Sequence, residues 1–171
     1  SPSGSRILAL RGPARLFGDL SAGGGGGGGG QNEIVWLPSA GGAATVIAES
    51  NGLNNPHFAR GDSTRIYAYG GQRGLVSMRW DGTDVKTHLR VAKAAAPGGD
   101  GGGGGRGGGA SWVQISPTGD QALAQAGNDV YLVSMPWVGA EAPTVTVGEA
   151  VGNFPMKKLS DIGAQFPAWG A

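Results

Sequence analysis

His57 and His88 are the only imidazoles in this chain, and cysteine is absent. A protein metal centre needs three or four His, Cys or carboxylate ligands at close spacing, and neither histidine has a second one near enough to begin such a set. Both are expected to be ordinary strand residues. Without cysteine there is no disulfide, thiolate metal site or cysteine nucleophile, and the redox compartment stays undetermined. Serine chemistry lacks support, because no G-x-S-x-G elbow occurs. The glycine runs satisfy G-x-G-x-x-G trivially, yet a dinucleotide site needs that motif between a strand and a helix, and no helical period follows. No catalytic residue, metal ligand or cofactor site is therefore expected. What remains is surface chemistry. Arg60-Gly61-Asp62 has the form of an adhesion tripeptide at an exposed turn, although its place at a turn shared by every repeat explains it without function. Among the five tryptophans, Trp80 and Trp137 hold equivalent repeat positions and Trp169 stands where Phe58 stands, which is what packing requires. Trp36 and Trp112 break the repeat. Trp36, Trp112, Arg60 and Asp62 are thus the candidate interaction surface.

The repeat that organises these residues is visible in Leu75-Val76-Ser77-Met78-Arg79-Trp80 and Leu132-Val133-Ser134-Met135-Pro136-Trp137, which share L-V-S-M-x-W at a spacing of 57 residues. The same offset lays Phe58 on Ile115, Ile66 on Leu123 and Gly70 on Gly127. A period of this size carrying short alternating strands points to a propeller or another stacked β array, in which one repeat cannot bury its faces alone.

The middle repeat reads as four strands, at His57 to Ala59, Thr64 to Tyr69, Leu75 to Trp80 and Val85 to Val91, separated by turns at 60–63, 70–71 and 81–82. Four antiparallel strands joined by tight turns make one blade. In the next repeat Trp112 to Ile115, Gln121 to Gln125 and Val130 to Met135 are strands one to three. Ser116-Pro117-Thr118-Gly119 has Ser, Pro and Gly where a type I turn wants them. Thr144 to Val147 and Met156 to Leu159 both qualify as its fourth strand, and the second is the better choice. Upstream, Arg6-Ile7-Leu8-Ala9 matches Arg65 to Ala68 at an offset of 59, and Ile34-Val35-Trp36-Leu37 matches Leu75 to Met78 at an offset of 41. The first blade accordingly lacks strand one and carries an insertion between strands two and three.

The expected fold is all-β, a partial β-propeller of four-stranded antiparallel blades. Residues 1–50 form an incomplete first blade with a Gly-rich insertion at 21–31, 51–97 the second blade, 98–110 a Gly-rich linker, 111–162 the third blade, and 163–171 the start of a further one. Leu75, Met78, Leu132, Met135, Phe58, Ile115, Ile66 and Leu123 are the expected core.

Glycine makes up 36 of 171 residues, about three times the usual ~7% share. Two readings of the runs stay open: flexible coil, or glycines standing in place of other loop residues, in which case functional side chains there are hidden. The formal charge is +1 with 15% charged residues, so no basic field exists to hold a nucleic acid or an anionic membrane. The N-terminus lacks signal-peptide features, and no apolar run approaches the ~20 residues of a membrane span.

Pro56-His57-Phe58-Ala59, a Gly/Asp turn, Arg65-Ile66-Tyr67-Ala68, then Leu75 to Trp80 with Asp81-Gly82-Thr83 resemble the TolB-like (PD40, WD40-like) propeller blade. Ser116-Pro117-Thr118-Gly119 is the best match to that blade's Ser-Pro-Asp-Gly turn, whereas Arg60-Gly61-Asp62 departs from it. Asn32 to Pro38, Lys157 to Gly163 and Phe166 to Trp169 are similar to the propeller region of large bacterial amidohydrolase-related proteins. That resemblance implies a scaffold or access-gating segment beside a metal-dependent hydrolase domain, in the periplasm or secreted. The alternative it leaves open is a TolB-like protein-protein interaction module. A ring needs roughly four to eight blades, so the expected partners are the remainder of the same protein or another copy.

Overall fold

The computed structural model describes residues 1–12, 32–59, 61–93, 109–135, 141–147, 155–160, 163–164 and 167–169. The Gly-rich insertion at 21–31, most of the 98–110 linker, Arg60, Trp137 and Phe166 lie outside the described residues. Twelve strands are described and they form three sheets.

Sheet one contains β1 (Arg6–Arg11), β2 (Glu33–Pro38) and β3 (Thr45–Glu49), antiparallel in that order. Sheet two contains β4 (Asn54–Ala59), β5 (Asp62–Gly70), β6 (Gly74–Arg79) and β7 (Lys86–Lys93) as an antiparallel meander. Sheet three contains β8 (Trp112–Ile115), β9 (Gln121–Ala126), β10 (Asp129–Ser134) and β12 (Met156–Lys158), again a meander. The preferred fourth strand of the third repeat is the observed one. The other candidate, β11 (Thr144–Val147), adds to the far edge of sheet two, parallel to β7. Sheet two thus has five strands where a four-stranded blade was expected. Val145 and Val147 are fully buried there, so the apolar edge strand is held by a neighbouring sheet's outermost strand.

These meanders pack face to face. Alternation along each strand gives sheet two two apolar faces: Ile66, Ala68, Val76 and Met78 join Ile34, Ile47 and Leu53 in one core, and Tyr67, Tyr69, Leu75, Leu89 and Val91 join Val113, Ile115, Ala122, Ala124, Val133 and Met135 in another. A strand buried on both faces reads as the continuous apolar run seen in Leu75-Val76-Ser77-Met78, every residue of which is at most 2% exposed. Successive four-stranded meanders stacked in this way are blades, and the fold is a partial β-propeller.

The expected core needs three corrections. Phe58 is only partly buried and packs at the margin of the first core beside Trp80. Leu132 is half-buried, because it points away from sheet two, unlike Val133 and Met135. Leu123 is buried but lies on the same far face, opposite in sense to Ile66: Ile66 pairs with Met78, whereas Leu123 pairs with Leu132, three residues earlier in the repeat than Met135. An odd slip in register reverses the face a side chain presents.

Glycine matters where turns of one sheet meet the next. Gly82 has φ +79°, and a Cβ there would fall against the Ile47 carbonyl oxygen of sheet one; Gly52 has φ +81° with open space around it. Gly52→Ala is expected to cost about 1–2 kcal/mol for the left-handed backbone alone, and Gly82→Ala more, since a backbone clash adds to it. Urea denaturation midpoints of the two variants measure the difference.

Candidate functional site

The densest polar arrangement lies on the face of sheet two turned toward sheet three. Its first part is His57, which is 8% exposed. Its Nδ1 is 2.7 Å from the Asn55 carbonyl oxygen and its Nε2 receives the Ile115 backbone N–H at 3.0 Å. Because Nε2 accepts, Nδ1 carries the proton and donates to Asn55; the ring is neutral. Asn55 supports this with a left-handed φ of 49°, a conformation asparagine tolerates. Its Nδ2 also donates to the Val113 carbonyl at 3.3 Å. The hydrogen bonds to Ile115 and Val113 join the first strands of sheets two and three, and the Gly61 N–H donates to the Pro117 carbonyl at 3.0 Å just beyond them. Burial drives the His57 pKa down to about 4, against a small upward pull from the Asn55 carbonyl.

The His57 ring stacks on Tyr67 at 6.0 Å, and His88 approaches Tyr67 at 5.7 Å. His88 Nε2 lies 2.7 Å from Ser77 Oγ, which also receives Arg65 Nε at 2.8 Å. Arg65 reaches on to the Asp84 carboxylate at 2.6 Å and to the Asp84 carbonyl. Arg79 and Lys86 stand 3.5 and 3.6 Å from the same carboxylate. Burial, helped by the Arg65 and Lys86 charges, lowers the His88 pKa. The hydrogen bond from Arg65 holds the Asp84 carboxyl below the usual range despite an opposing contribution from burial. A serine beside a histidine invites comparison with a nucleophile and its base. Ser77, however, is fully buried, and its oxygen already accepts from a guanidinium, which stabilises the hydroxyl as an acceptor and shields it from a substrate. The network ties β5, β6 and β7 together.

Elsewhere carboxylates close turns. Asp62 accepts from the Thr64 N–H at 2.8 Å and its hydroxyl at 2.6 Å, and Asp81 accepts from Thr83 in the same way at 3.0 and 2.6 Å. Burial pushes the Asp62 pKa up, but the two Thr64 hydrogen bonds and the Arg65 charge pull it below the ordinary value. The Ser116 to Gly119 turn is closed by the Gly119 N–H on the Ser116 carbonyl at 3.0 Å, with Gly119 at φ +83°, and Ser116 Oγ donates to Asp120 at 3.0 Å. Among the described residues no group of three His, Cys, Asp or Glu stands close enough to hold a metal ion. No helix among them is long and apolar enough to cross a membrane.

The four candidate surface residues are not brought together. Trp36, on β2 of sheet one, is half-buried; the Arg6 guanidinium lies between its ring, at 4.5 Å, and that of Trp80, at 4.6 Å. Trp80 in turn packs on Phe58 at 5.3 Å and donates to the Ser63 carbonyl at 3.0 Å. This cation sandwich bridges sheets one and two. Trp112 lies on β8, two sheets away from Trp36, and is half-buried. Asp62 begins β5 in its closed turn, and Arg60 lies outside the described residues. Trp169, expected at the start of a further blade, donates to the Gln114 carbonyl of β8 at 3.3 Å. The role of His57 has no signal in the sequence, because its partner Ile115 offers only a backbone N–H.

No family model matches the chain, and no curated protein matches it. Among solved structures, an oligogalacturonate lyase in complex with manganese is similar over 61% of this chain, with 17% identity and a TM-score of 0.38. The match spans 27% of that protein's chain, and a likeness of this degree says nothing about activity.

Proposed function

We propose that this chain is a non-catalytic propeller segment that serves as scaffold or access-gating module beside a metal-dependent hydrolase domain of the amidohydrolase type. The observation that carries the non-catalytic part is the use of His57, Ser77, His88, Arg65 and Asp84 for internal structure. His57 bonds Ile115, Ser77 bonds His88 and Arg65, and Asp84 bonds Arg65. The hydrolase part rests on the resemblance of Asn32 to Pro38, Lys157 to Gly163 and Phe166 to Trp169 to the propeller region of such proteins.

Both parts are testable. The 171-residue chain, assayed with and without zinc against amide, ester and lactone substrates, is expected to show no turnover above background. Metal-dependent turnover abolished by His57→Ala would overturn the non-catalytic reading. The gene encoding the chain is expected to carry a His-x-His pair with further histidines and an Asp outside it; a gene without that set leaves the TolB-like interaction module as the better account.

A further inference from the structure

Sheet one turns Leu8, Ile34 and Trp36 toward sheet two. By strand alternation Ile7, Ala9, Val35 and Leu37 point the other way. The offsets of 59 and 41 that align β1 with β5 and β2 with β6 make these four the equivalents of Ile66, Ala68, Val76 and Met78. Strand pairing gives the same correspondence independently of the sequence: Ile7 stands opposite Leu37 and Ala9 opposite Val35, as Ile66 stands opposite Met78 and Ala68 opposite Val76. In sheet two those four residues form the face that packs on sheet one, each at most 2% exposed. In sheet one the same apolar set is open only in part: Val35 is 2% exposed and Ala9 and Leu37 are half-buried, the opening lying at the Ile7 and Val46 ends. Ile7 is 54% exposed, and Val46, which pairs with Val35 on β3, is 45% exposed. The Arg11–Glu33 ion pair, 2.8 Å from Nε to the carboxylate, borders it at one end.

We propose that this outer face of sheet one is the seat of a further blade-type antiparallel sheet of the same polypeptide, packed on it as sheet one packs on sheet two. The inference rests on reading the chain as a propeller segment and names the partner of its open face. Continuity with an existing interface selects the occupant. What covers Ile66, Ala68, Val76 and Met78 is a sheet presenting Leu8 from its second strand and Ile34 and Trp36 from its third, and sheet two presents Tyr67 and Leu75 from the same positions to sheet three. The occupant therefore offers an aliphatic or aromatic side chain from its second strand and a leucine or isoleucine from its third. A second copy is a poorer match. The corresponding face of sheet three is already largely covered, with Leu123 and Val130 buried and Trp169 bonded across β8, and only Leu132 half-buried on it.

The test is a charge placed on this face in the complete gene product, with Ile7→Glu set against Val85→Glu, since Val85 is 47% exposed elsewhere. Ile7→Glu is expected to lower the melting temperature by about 5 °C, as loss of roughly 1 kcal/mol does in a domain-sized unit, and Val85→Glu to leave it unchanged. In the 171-residue chain alone, Ile7→Glu is expected to leave the melting temperature in place and to reduce binding of a hydrophobic dye. Equal, negligible shifts for both variants in the complete product would overturn the proposal. So would a discrete dimer of the 171-residue chain that Ile7→Glu dissociates, because the occupant would then be a second copy. Neither result bears on the histidine set outside the chain, so failure here is distinguishable from failure of the hydrolase reading.

Discussion

Lowering the pH from about 6.5 to 4 is expected to remove about 3 kcal/mol of folding stability through His57 alone. The histidine pKa falls from 6.5 in the unfolded chain to about 4 in the folded one, and each pKa unit corresponds to about 1.4 kcal/mol. The sign follows from proton binding. Below pH 6.5 the unfolded state takes up a proton that the folded state refuses until about pH 4, so stability falls with pH across that window and is flat above it. The physical cause is burial of the ring, and a protonated Nε2 would also point its N–H at the Ile115 N–H. His88, also lowered, contributes with the same sign. Asp84, Asp120 and Asp129, whose carboxyls hydrogen bonds hold below their ordinary value, lose their contribution only at lower pH. His57→Gln keeps an acceptor for Ile115 and is expected to flatten the dependence between pH 6.5 and 4 to the His88 remainder. Chemical denaturation at several pH values measures this; an unchanged slope in the variant would sink it.

The second large effect separates two leucines that hold the same place in the repeat. Leu75 is 0% exposed, enclosed between sheets two and three. Leu75→Ala is therefore expected to cost about 2–5 kcal/mol, the range for a buried leucine. Leu132, its equivalent at the offset of 57, is half-buried on the far face of sheet three, and Leu132→Ala should cost about half as much, because less apolar surface returns to water. Equal losses for the two variants would mean that sheet three is covered on its far face as fully as sheet two.

The blades are legible because a strand buried on both faces must be apolar along its whole length, as Leu75 to Met78 is, and the same pattern recurs in Leu132 to Met135, where only one face is fully buried. The type I turn at Ser116 to Gly119 is legible for the same kind of local reason. Register is not. A constant offset counts residues, whereas the sheet counts hydrogen-bonded pairs, and the slip of Leu123 onto Leu132 leaves the offset intact while reversing a face. The placement of β11 on sheet two also has no local signal, since a short Val/Thr run suits any edge that an apolar neighbour covers. Of the candidate site, the sequence pattern singled out Trp36 and Trp112 as departures from the repeat, and they lie in different sheets. His57 was legible only as a strand residue. Its contribution depends on a backbone N–H contributed by another repeat, and backbone groups are the same in every sequence.

The most direct measurement is an experimental structure of the complete gene product. The residues within about 4.5 Å of Ile7, Leu37 and Val46, the distance of apolar contact, are expected to belong to a further antiparallel sheet of the same chain, with His57 Nε2 still accepting from Ile115. A helix or bulk solvent against Ile7 and Leu37, or a His57 ring turned out from between sheets two and three, would contradict this arrangement.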